Sequence, residues 1–101
     1  MKSRIAILAA TSFAVLSPPA IGQDSIRYVA GNCANCHGTD GRSGGGAGMP
    51  GIAGLSRAYF IEQMRLFRTG GRAATVMHQL SKGYTDDQIS RLADYFASMP
   101  K

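Results

Sequence analysis

The stretch from Gly31 to Gly41, GNCANCHGTDG, gathers Cys33, Cys36 and His37 into five positions of a chain that has two cysteines and two histidines in all. Two thiols at this spacing can close a redox-active disulfide, take two corners of a zinc site, or add to the two vinyl groups on one side of a porphyrin. The histidine directly behind the second cysteine separates these chemistries. In the haem case the next residue lands under the iron, where an imidazole nitrogen binds it. A zinc site would have to draw four ligands from Cys33, Cys36, His37 and His78, and His37 adjoining Cys36 does not easily take its own tetrahedral corner. A thioredoxin-like dithiol needs flanking strands, and none is visible. A plain disulfide, which export permits, leaves His37 without a role. The pattern therefore points to one covalently bound haem c, with Cys33 and Cys36 as thioethers and His37 as proximal ligand. A haem-free dithiol or zinc-binding module is the rival.

A six-coordinate iron needs a ligand on its other side, for which Met49, Met64, Met77, His78 and Met99 are the candidates. Met64 and Met99 fall on apolar helical stripes that already account for them as packing. Met49, close to the motif, would have to reach round the ring through a short loop. Met77 follows His37 by forty residues, enough chain for a helix to pass the haem edge and deliver a sulfur from the far side. His78 is its alternative, since neighbouring side chains on a helix point about 100° apart and only one can face the iron. His/Met ligation would raise the reduction potential relative to a bis-histidine site. Proximal histidines donate their second ring N–H to a carbonyl or carboxylate, and Pro50, thirteen residues on, offers a carbonyl on a rigid turn. The metal ligands expected are thus His37 and Met77, and the cofactor-binding set is Cys33, Cys36, His37, Pro50 and Met77.

The elements that must position these groups read as helices. Ile26, Val29, Ala30 and Cys33 recur at helical spacing, with Asp24 or Ser25 placed to cap the start. From Gly38 to Gly54 the period vanishes into a glycine-rich loop containing Pro50. Ser56 can cap a second helix with Phe60, Ile61, Met64 and Phe67 on one face, ended by Gly70 and Gly71. A brief turn carries Ala73, Val76, Met77 and Leu80. The last helix opens on a capping box of Thr85 and Gln88, carries Ile89, Leu92, Ala93 and Phe96 as its stripe, and stops at Pro100. Tyr95 and Phe96 read as packing against the first helix. No segment reads as a strand, so the fold class is all-α, three to four short helices around one haem. The letters of GAGMPG, Gly46 to Gly51, match a nucleotide fingerprint, but no strand precedes them and Pro50 interrupts. Arg65, Arg68 and Arg72 share one face, for which a solvated surface is the default.

The N-terminal 22 residues have the layout of a secretory signal peptide: Lys2 and Arg4, an apolar run from Ile5 to Leu16, then Pro18 and Pro19, with a cut expected after Gly22. The apolar run is short of the roughly 20 residues of a membrane span, so no span is expected after cleavage. Residues 23–101 then form one monohaem domain. Its nine Lys and Arg against six Asp and Glu leave a formal charge of +3, mildly basic and short of the dense cationic stripe of a nucleic-acid binder. A domain of 79 residues buries only about 60% of its unfolded surface and sits near the margin of stability without a prosthetic group in its core.

With a first helix ending in CANCHG, a glycine-rich loop with a proline, a methionine well downstream and a final helix in GYTDDQISRLADYFASMP, the chain resembles the class I cytochromes c. The resemblance implies that the first and last helices cross, that the haem lies in a crevice with one edge exposed, and that Met77 is the axial ligand. CHGTDGRSGG, YFIEQMRLFRTGGR and ATVMHQLSKGYTDDQI are most similar to the small haem subunits of flavocytochrome c sulfide dehydrogenases. Some of those carry two haem domains, whereas this chain has a single Cys-x-x-Cys-His. The expected protein is an exported, periplasmic carrier of single electrons, not an enzyme on its own. The resemblance implies a FAD-bearing flavoprotein subunit that oxidises sulfide as its donor, and a further soluble protein as its acceptor. A free-standing periplasmic shuttle with another donor is the alternative.

Overall fold

The computed structural model describes residues 9–16 and 25–101. Residues 9–16 carry no regular secondary structure; the expected cleavage after Gly22, and Asp24 as a cap, lie outside the described residues. Among the described residues four α-helices follow in chain order: α1 Ile26–His37, α2 Arg57–Thr69, α3 Met77–Leu80 and α4 Asp86–Ala97. Short 3-10 turns occupy Thr39–Gly41, Gly46–Gly48 and Ser81–Gly83, and no strand occurs among the described residues.

The helix boundaries reflect local chemistry. Ser25 stands at the start of α1 in extended backbone conformation, but its side chain makes no capping bond. Its carbonyl instead accepts from Tyr28 N at 2.9 Å. Ser56 caps α2 by accepting from Tyr59 N, and Gly70 closes that helix at φ 81°, the left-handed conformation glycine adopts without penalty. Thr85 and Gln88 complete the capping box of α4 in both directions, at 3.1 and 2.9 Å. Met99 lies beyond the end of α4 rather than on its stripe, because Ser98 already occupies the C-cap.

α1 and α2 both pack on α4. Their shared core is Ala30, Phe60, Met64, Ile89, Leu92, Ala93 and Phe96. All four stripe residues of α4 are buried, and Phe96 is its centre, 1% exposed. Its ring stacks on Phe60 at 5.7 Å and meets Tyr95 edge-on at 5.2 Å, geometries that aromatic quadrupoles favour. Around this core, Cys33 from α1 and Met77 from α3 pack on the same buried cluster.

Candidate functional site

The last turn of α1 carries the motif. Cys33 and Cys36, three apart, lie along one face of the helix; Cys33 is half-buried and Cys36 is exposed. Burial pushes the Cys33 thiol up, and among the described residues no strand flanks the pair, as a thioredoxin-like dithiol requires. Nor do the described residues contain a group of three or more His, Cys, Asp or Glu side chains able to hold a metal ion. Neither haem-free chemistry finds support in this geometry.

His37 closes the helix, and its Nδ1 lies 2.7 Å from the carbonyl oxygen of Pro50. A carbonyl can only accept, so in the neutral ring the proton sits on Nδ1 and the lone pair is left on Nε2. The loop that delivers Pro50 is built for this. Gly38, at φ 83°, turns the chain out of α1 where a side chain would meet the Arg42 carbonyl at 2.8 Å. The Gly41 carbonyl accepts from Ile52 N at 2.8 Å and Ala53 N at 3.0 Å, folding the loop back on itself. A Cβ on Gly41 would lie 3.0 Å from Phe96 Cδ1. The Ser43 hydroxyl donates to the carbonyl of Met49 at 2.7 Å, fixing the peptide just before Pro50.

Asp40, three residues past His37, is the one non-glycine residue at positive φ among those described, at 53°. Conformations of this kind cost about 1–3 kcal/mol and persist where the surroundings fix them. Here the Tyr95 hydroxyl donates to Asp40 Oδ1 at 3.0 Å from α4, and Arg42 approaches at 3.5 Å. Tyr95 thus does more than the packing its sequence position suggests; a partner 55 positions away leaves no local signal.

Met77 and His78 open α3. Met77 is half-buried against the core. His78 Nδ1 is buried and has no hydrogen-bond partner, an arrangement that native interiors avoid unless something else supplies the partner. Val76 and Leu80, to either side, are 43% and 47% exposed. The segment that comes next is tied down by Arg68 of α2, which donates from Nε to the Ser81 carbonyl at 3.1 Å, to the Tyr84 carbonyl, and from Nη1 to Asp86 at 2.6 Å. Arg68 is therefore no solvated member of an arginine face.

Two thiols one turn apart, an imidazole with its Nε2 free, and a downstream thioether on an apolar, partly uncovered face form a donor set that fits haem c. An all-helical chain with this motif at the end of its first helix has the class I cytochrome c fold. Residues 26–100 match the Cytochrome c family, and the chain belongs to it. It is an electron-transfer protein with a covalently bound haem c. Over 48 residues it is 41% identical to the "Cytochrome subunit of sulfide dehydrogenase" of Chlorobaculum tepidum, covering 48% of this chain and 44% of that one. The match thus spans less than half the length of that curated relative. Among solved structures, the cytochrome c4 of Acidithiobacillus ferrooxidans is similar at a TM-score of 0.62 and 37% identity, over 66% of this chain and 38% of its own. No helix among the described residues is long and apolar enough to cross a membrane.

Proposed function

We propose that this chain is a periplasmic haem subunit that accepts single electrons from the flavoprotein subunit of a sulfide dehydrogenase and passes them to a soluble acceptor. Cys33 and Cys36 would hold the porphyrin through thioethers, and His37 and Met77 would bind its iron. The bound haem supplies one-electron cycling of its iron. The chain's part is to orient the ligands and keep water from the metal. His37 is presented through Nε2 because Pro50 takes its other proton, and this hydrogen bond is the observation that carries the site reading.

The partner assignment rests on the 41% match to the sulfide dehydrogenase cytochrome subunit. It is tested by isolating the native protein and asking whether a flavin-bearing chain copurifies. A chain that elutes alone at every salt concentration would instead identify a free-standing shuttle. Export is tested on the same material: a mature protein beginning at Gln23 is expected, and an intact Met1 would contradict cleavage of the leader.

One observation favours a second reading of the sixth ligand. The unpartnered Nδ1 of His78 is what a histidine facing the cofactor would show. The two readings separate spectroscopically. Met77→Leu is expected to abolish the sulfur-to-iron charge-transfer band of the oxidised protein and lower its potential, while His78→Leu leaves the band in place. The reverse pattern would assign the ligand to His78.

A further inference from the structure

We infer that Arg68 is a positioning residue for the sixth ligand: its guanidinium clasps the chain after Met77 to α2, and this clasp holds the thioether in place. The inference rests on the reading of Met77 as ligand and adds to it the device that keeps it there. α3 is a single turn of four residues, Met77–Leu80, whose N-cap Val76 makes no side-chain capping bond. So short a helix has little stability of its own. Its position must come from what its flanks are fastened to.

On the downstream side that fastening is Arg68. Three of its nitrogens reach three acceptors spread over Ser81, Tyr84 and Asp86, and two of these are backbone carbonyls. The planar fork of a guanidinium can span such a set, whereas the point charge of lysine cannot. The arms differ in weight. The Asp86 carboxylate is 95% exposed, whereas the Arg68 side chain is only 27% exposed. An exposed ion pair contributes little, so the two carbonyl bonds carry the clasp. Ser81, whose carbonyl takes one of them, is fully buried at 0%, and its hydroxyl meets the His78 carbonyl at 3.4 Å. The hold therefore runs from α2 through Ser81 to the turn bearing Met77. Arg65, on the same face of α2, and Arg72, beyond the end of that helix, spend their side-chain bonds on Glu62 and Gln63 and do not reach this segment.

The test is displacement of the native ligand by cyanide in the oxidised holoprotein. Losing two charge-assisted bonds should raise the apparent cyanide affinity of Arg68→Gln roughly ten- to a hundred-fold. Arg68→Lys should behave nearly as Arg68→Gln, and Asp86→Asn should stay close to the unaltered protein. Ile61→Val serves as a control, trimming a residue packed on the core; it should lower the melting temperature without changing cyanide binding. If Arg68→Gln binds cyanide as the parent does, or if Ile61→Val loosens the ligand equally, the positioning role is overturned. Met77→Leu is measured alongside. Retention of the charge-transfer band in that variant would overturn the ligand reading and this inference with it, whereas loss of the band together with an unchanged Arg68→Gln would overturn the inference alone.

Discussion

At the scale of single residues, hydrogen bonds to backbone and carboxylate decide what each side chain can do. His37 illustrates how much of this is legible in the sequence: a histidine behind Cys-x-x-Cys needs an acceptor for Nδ1, a proline thirteen positions on offers one, and the two meet at 2.7 Å. Tyr95 shows the opposite. Its hydroxyl bonds Asp40, a contact set by tertiary folding alone. Partial burial, and then the Asp40 carboxylate accepting its proton, push the Tyr95 phenol above its ordinary range near 10. The folded chain thus holds this proton more tightly than the unfolded one. The resulting stability is complete below about pH 10 and is lost as pH rises through the folded value. Tyr84, raised chiefly by burial, acts in the same direction. We expect Tyr95→Phe to cost about 1 kcal/mol at pH 7 and to lessen the fall in stability above pH 10, as measured by denaturant unfolding at both pH values. Equal slopes in parent and variant would show that the Tyr95–Asp40 bond has no such linkage.

Helices with a clear period and a recognisable cap are readable from sequence, and α4 is the best case, its capping box and its buried stripe both found where the pattern puts them. Thr85→Ala should therefore cost about 1 kcal/mol, seen as a lower denaturant midpoint with unchanged slope. An unchanged midpoint would mean that packing on α1 and α2 holds this end of the helix without its cap. Elements held by long-range ties are less legible. The loop from Gly38 to Gly54 announces itself as irregular through its glycines, but not the path by which the Gly41 carbonyl gathers Ile52 and Ala53. Similarly, the arginine spacing of α2 suggests a solvated face, because helical periodicity says nothing of partners thirteen to eighteen residues away. At Ser25 the sequence suggests a side-chain cap, and the backbone carbonyl alone serves the first turn.

For the molecule as a whole, the decisive quantity is how little core it has. Eight apolar side chains are buried among the described residues, and three of them are alanines. Val76 and Leu80 stand half-exposed beside Met77, apolar surface that a bound macrocycle would take from water. That the core would be small is readable from chain length, and the position of the uncovered surface is not. Replacing both thiols, Cys33→Ser with Cys36→Ser, is expected to leave the chain poorly folded, with reduced helical circular dichroism. Full helicity in that variant would show that the helices hold together without the covalent cofactor.

The most direct measurement is acid-acetone extraction of the purified protein, then mass spectrometry of the intact polypeptide. Retention of the haem absorbance with the chain, and a mass increased by one haem, are predicted, with the added mass mapping to the peptide containing Cys33 and Cys36. A colourless polypeptide of unmodified mass, with both thiols open to alkylation, would contradict the account.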